Sequence, residues 1–100
     1  MKQKLQFSVL FLFFIFLSNA QTITVSNAGS SVTNGVYTQN GTFNGKPKYS
    51  KTNGSDVFEI SWYNQGSLYY WVIMKAAPAI SFYYYSFNNV ATPDLVTVWQ

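Results

Sequence analysis

The chain contains no cysteine, no histidine and no arginine among its 100 residues. Without cysteine, no disulfide can staple the fold in an oxidising compartment, and the soft ligands of zinc are missing. Without histidine, the usual general base near neutral pH is missing too. Acidic groups are few: Asp56, Glu59 and Asp94 are the only carboxylic side chains. A glycosidase needs two carboxylates across a cleft. Here spacing assigns Asp56 to Lys51 and Glu59 to Lys48 as cross-strand partners. A calcium site needs a denser cluster of oxygen ligands. We therefore assign no catalytic residue, no metal ligand and no cofactor, and the sequence reads as a non-enzyme. Lys46, Lys48 and Lys51 share one hairpin without any arginine, which is no footprint for nucleic acid. No stretch carries a sustained helical period.

One long apolar run is present, at the start. Lys2 and Lys4 precede an apolar stretch from Phe7 to Leu17, and Ser18-Asn19-Ala20 places small residues before Gln21. That three-part order predicts a secretory signal peptide over residues 1–20, removed before Gln21. The run is too short to span a bilayer comfortably, so no membrane span is expected after cleavage. The Phe-rich run and the Ser-Asn-Ala-Gln junction resemble signal peptides of secreted Bacteroidota proteins. The resemblance implies a bacterial source and a secreted or cell-surface location.

Residues 21–100 then form one small domain, with four lysines against three acids, a balance of +1. So short a chain has a marginal core. Aromatic residues compensate: fifteen of the twenty fall after residue 20, and each buries on the order of 150–250 Å².

The stretch Asp56 to Phe87 organises the rest. Phe58, Ile60 and Trp62 alternate with Glu59 and Ser61, the period of a half-buried strand. Asn64-Gln65-Gly66-Ser67 is turn chemistry, and Leu68 to Lys75 is a second strand. Pairing through that turn sets Trp62 against Tyr69, Ile60 against Trp71 and Phe58 against Ile73. A third strand, Ile80 to Phe87, follows Ala76-Ala77-Pro78-Ala79 and sets Ile73 against Phe82 and Trp71 against Tyr84. The predicted core face is Phe58, Ile60, Trp62, Tyr69, Trp71, Ile73, Phe82 and Tyr84. The opposite face carries Tyr63, Leu68, Tyr70, Val72, Met74, Tyr83, Tyr85 and Phe87. That face is too apolar to be idle. Either N-terminal strands cover it or it meets a ligand.

Upstream, Thr22 to Ser26 alternates as a short strand, Asn27 to Asn34 reads as a loop, and Val36-Tyr37-Thr38 starts another strand. Four Asn-Gly pairs punctuate the chain at 34–35, 40–41, 44–45 and 53–54, each a hairpin signal. Pairing around Asn53-Gly54 sets Tyr49 against Phe58 and Lys48 against Glu59, an opposite-charge pair worth a few tenths of a kcal/mol. Asn40-Gly41-Thr42 and Asn53-Gly54-Ser55 also match the glycosylation sequon, though turn chemistry suffices to explain them. After Asn88-Asn89, Ala91 to Asp94 breaks regular structure, and Leu95 to Trp99 is a candidate last strand. The expected fold is all-β, an antiparallel meander of about five to seven short strands, with a small two-layer sandwich as the alternative.

The order of short motifs is distinctive: Val25-Ser26-Asn27-Ala28-Gly29, Val32 to Tyr37, Asn44 to Tyr49, Ile60-Ser61-Trp62, Trp71-Val72-Ile73, Tyr83 to Ser86, and Thr92-Pro93 before Trp99. It resembles an uncharacterised extracellular or multidomain β repeat of the form V-S-G-A-G, V-N-G-x-Y, N-G-x-P-x-Y, I-x-W, W-x-I, Y-Y-x-S and T-P-P-x-x-W. The likeness covers nearly all of residues 23–99, with Asn27 and Asp94 as departures. It implies the fold and a modular role and carries no established activity. Two functions follow as expectations. One is a binding module for a glycan or another surface polymer, through Tyr63, Tyr70, Tyr83 and Tyr85. The other is a structural or adhesive repeat packing on a neighbouring extracellular domain.

Overall fold

A computed structural model describes residues 21–100; the expected signal peptide lies outside the described residues. Six strands follow one another in a single antiparallel sheet whose spatial order is the chain order. They are β1 (Thr22–Val25), β2 (Gly35–Phe43), β3 (Lys46–Asn53), β4 (Asp56–Gln65), β5 (Leu68–Ala77) and β6 (Ser81–Ser86). The sheet curls into a half-barrel. β1 and β2 continue it and do not form a second layer.

The hairpins show why. At Asn44-Gly45 both residues take positive φ, 54° and 85°, the geometry of a type I′ turn whose twist matches the strands it joins. The next two turns use Gly54-Ser55 and Gly66-Ser67, with φ of 66° and 64° at the glycines. Each of these loops sits one residue later than the sequence suggests. Pairing therefore shifts by two: Tyr49 faces Ile60 and Lys51 faces Phe58, while Trp62 faces Trp71 and Ile60 faces Ile73. A two-residue shift leaves every side chain on its expected face. Lys48 and Glu59 become diagonal neighbours and still meet at 3.6 Å. Asp56 pairs with Asn53 instead of Lys51. Asn40-Gly41 is no turn: it falls at a bulge within β2.

β-Bulges do what loop shifts cannot. In β6, Tyr84 faces Ile73 but Phe82 faces Met74, so Tyr83 is an extra residue. One extra residue inverts the faces beyond it. Phe82, expected in the core, is 52% exposed on the outer face. Tyr83, expected outside, packs against Phe58 at 6.1 Å between ring centroids on the inner face. Tyr69 stays on the inner side, stacked on Trp62, but is 46% exposed and not core.

The inner core is Tyr37, Tyr49, Phe58, Ile60, Trp62, Trp71 and Ile73. Trp71 lies fully buried, as expected, but opposite Trp62 and Ser86. Two segments roof this concave face. The Ser26–Asn34 loop is held by the Tyr37 hydroxyl donating to the Thr33 carbonyl at 2.7 Å and by Ser30 N–H donating to the Tyr84 hydroxyl at 2.7 Å. Lys51 donates to the Val32 carbonyl at 2.9 Å while its ammonium lies 4.6 Å from the Phe58 ring centre.

The C-terminal segment is the second roof. It forms a 3-10 turn at Pro93–Leu95 and not the expected strand. Val90, Val96 and Trp99 pack against the core. The Val90 carbonyl accepts from Lys46 Nζ at 2.8 Å and from Trp71 Nε1 at 3.2 Å. The Asn88 amide oxygen accepts from Thr97 N–H at 2.9 Å. Gln100 exchanges both backbone bonds with Tyr85, at 2.9 and 3.0 Å.

Candidate functional site

The convex face carries a band of rings. Register sets Phe43 opposite Lys46 and Tyr63 opposite Tyr70. The rings of Phe43, Tyr63, Tyr70 and Phe87, the last just past the end of β6, form one row, while the Lys46 side chain turns to the other face toward Trp62 and Val90. Ring centroids lie 6.0 Å apart for Phe43–Tyr63 and for Tyr63–Tyr70, and 5.9 Å apart for Tyr70–Phe87. From β2 to β6 that row crosses about 19 Å at ordinary strand spacing. Tyr85, opposite Val72, lies 6.3 Å from Tyr70, and Phe82, opposite Met74 beyond the bulge, lies 5.4 Å from Tyr63.

Contacts within the band are mostly edge-to-face, the geometry that the ring quadrupole favours. Tyr63 on β4 and Phe82 on β6 meet across β5, above Val72. That accounts for Val72, 1% exposed on a face with no second layer. The band is thus a small outer core as well as a surface. Phe43, Leu68, Phe82, Tyr85 and Phe87 remain exposed, Tyr85 by 40% and Phe87 by 53%.

Of the four tyrosines expected to form a site, Tyr63, Tyr70 and Tyr85 come together here, the first two half-buried and the third exposed. Tyr83 does not, because the bulge turns it inward. Phe82 takes its place and Phe43 extends the row; sequence reasoning missed both. Phe43 was recoverable from the Asn44-Gly45 turn, which fixes it opposite Lys46. Polar atoms edge the band: the Tyr70 hydroxyl donates to Gln65 Oε1 at 3.2 Å, and the Lys48–Glu59 pair lies on the same face.

The second feature is a cleft of about 940 Å³ on the concave side. Residues Gln21–Gly29 form one wall, Ile60, Ile73 and Tyr84 the floor, and Pro93, Asp94, Val96 and Trp99 the other wall. Below it, Tyr37 and Tyr49 are fully buried. Burial pushes both phenols up, and the Asp94 charge adds to the effect at Tyr49. Among the described residues, the Tyr49 hydroxyl has no hydrogen-bond partner. Tyr84 is held below its usual value by the backbone N–H of Ser30.

Among the described residues, no group of three or more acidic side chains could hold a metal ion, and no helix is long and apolar enough to cross a membrane. No family model matches the chain, and no curated protein or solved structure is detectably similar to it.

Proposed function

We propose that the chain is a secreted, non-catalytic binding module whose convex aromatic band holds an extended surface polymer, a glycan in the first instance. The observation that carries this reading is the row Phe43, Tyr63, Tyr70 and Phe87, running across the strands with Tyr85 beside it. Flat apolar rings with hydroxyl tips suit the apolar faces of sugars, and tyrosine offers that area at low entropy cost. Gln65, Glu59 and Lys48 at the margin supply polar atoms. A linear chain lying along the row would touch several rings at once, each adding a weak contact.

A second reading is favoured by a specific observation. Phe43, Leu68, Phe82 and Phe87 are all exposed and carry no polar tip. A contiguous apolar patch of this kind also suits packing on a neighbouring extracellular domain. A glycan array with the wild type and a Tyr70→Ala/Tyr85→Ala double variant separates the two. Glycan signal lost in the double variant supports the first reading. Silent arrays together with concentration-dependent association of the wild type support the second.

A further inference from the structure

The aromatic band leaves the concave cleft unused, and one wall of that cleft is an open sheet edge. Among the described residues, β1 pairs with β2 and with no other strand. Gln39 N–H donates to the Gln21 carbonyl at 2.8 Å, so backbone groups of residues 21, 23 and 25 point toward β2. By strand alternation, those of Thr22 and Thr24 point away. Both residues line the cleft, and among the described residues no strand pairs with that edge. The other edge of the sheet is different, because Gln100 already bonds Tyr85 there.

An outward row of N–H and C=O groups at strand spacing is complementary to the backbone of another extended chain. The remaining walls fit the same occupant. Below the edge lie Ile60 and Ile73, both buried, which would receive alternate apolar side chains. At the rim, Asp94 is exposed, and the ion pair found among the described residues is Lys48–Glu59, not one to Asp94. The four residues of β1 span roughly 13 Å, enough for a partner of about four to six residues. We infer that this cleft binds an extended basic peptide segment of another protein by strand addition to β1, with apolar side chains on Ile60 and Ile73 and a cationic one at Asp94. The inference goes beyond the aromatic-band reading and does not depend on it.

The test is a titration of the isotope-labelled protein with acetyl-Ser-Val-Lys-Val-Thr-Gly-amide, followed by NMR. Saturable shifts centred on residues 22–25, Ile60, Ile73 and Asp94 are expected. Methylating both valine nitrogens of the peptide removes donors that strand addition needs, and is expected to weaken binding about fivefold to tenfold or more. On the protein side, Thr24→Pro removes an outward N–H and spares the β1–β2 bonds, a position where an edge strand tolerates proline. It is expected to weaken binding to a similar degree. Asp94→Asn is expected to weaken the lysine peptide but not its norleucine analogue, and Tyr70→Ala/Tyr85→Ala to leave both unchanged. The inference is overturned by absence of saturable shifts at millimolar peptide, or by equal binding of the methylated peptide. Equal binding to a folded Thr24→Pro variant overturns it as well. So does a sedimentation result in which β1 is occupied by a second copy of the chain and peptide does not compete. Should Thr24→Pro fail to fold, the methylated peptide still decides.

Discussion

Tyr37 and Tyr49 make a matched pair of buried phenols with opposite expectations. Both are fully buried in the same cluster. The Tyr37 hydroxyl donates to the Thr33 carbonyl at 2.7 Å, and Thr33 is itself fully buried. Tyr37→Phe therefore strips a buried carbonyl of that bond, at a cost of about 1–3 kcal/mol. The Tyr49 hydroxyl has no partner among the described residues. It already carries its desolvation cost in the folded state, so Tyr49→Phe is expected to range from neutral to about 2 kcal/mol more stable. The ring, which supplies nearly all the packing, is kept in both variants. For a domain of this size each kcal/mol moves the melting temperature by roughly 4–8 °C. The two variants should then differ by on the order of 10 °C, with Tyr49→Phe the higher. Thermal unfolding followed by circular dichroism measures this directly. If Tyr49→Phe loses as much stability as Tyr37→Phe, the Tyr49 hydroxyl has a partner in solution and the reasoning fails.

Other predictions follow from the same packing. Trp71→Ala is expected to cost about 3–5 kcal/mol, enough to unfold so small a domain, whereas Trp71→Phe keeps an aromatic ring, gives up part of the indole area and the bond to Val90, and should cost less; chemical denaturation would rank them. Alkali should destabilise the fold through Tyr37 and Tyr49, because both folded pKa values lie above the unfolded one; their contribution is complete below about pH 10 and lost as pH rises past it. In phenolate absorbance, Tyr84 should ionise ahead of that pair. Asn88→Ala removes the acceptor for Thr97 and Val98 and should cost about 1 kcal/mol, visible as faster amide exchange over residues 97–100. Gly66→Ala forces a side chain onto a φ of 64° and should cost on the order of 1–2 kcal/mol, read from the denaturation midpoint.

Faces were far more legible in the sequence than registers. Alternation in Val57–Tyr63 and Leu68–Lys75 assigns each side chain to one side, and a loop misplaced by one residue at Asn53-Gly54 or Gly66 moves pairing by two without disturbing that assignment. Hence Phe58, Ile60, Trp62, Trp71 and Ile73 were all found as core. Bulges leave no comparable mark. Nothing in Ser81-Phe82-Tyr83-Tyr84-Tyr85 distinguishes a regular strand from one with an extra residue, since five of the six neighbouring side chains from Phe82 to Phe87 are aromatic. The Tyr83 and Phe82 assignments were lost there, and with them one corner of the candidate site. Tyr37 was missed as core because its burial comes from the Thr33 turn and Lys51, contacts between segments that no local period reports. The cleft was invisible for a similar reason: its walls are residues 21–29 and 93–99, joined only by the curl of the sheet.

That curl leaves the two margins of the sheet unequal, and the inequality bears on growth. A filament of stacked sheets requires each molecule to offer two open margins, one to accept the previous copy and one to receive the next. On the β6 side, Gln100 occupies the backbone of Tyr85 and the bulge at Tyr83 bends the strand out of line. Among the described residues, β1 is the margin with no strand or segment on its outer side. Strand addition at that margin therefore terminates after a single event, whether the newcomer is a peptide or another copy. Through the margins of the described residues, the sheet can be an acceptor or half of a pair, but not a link in an indefinite array built on strand edges.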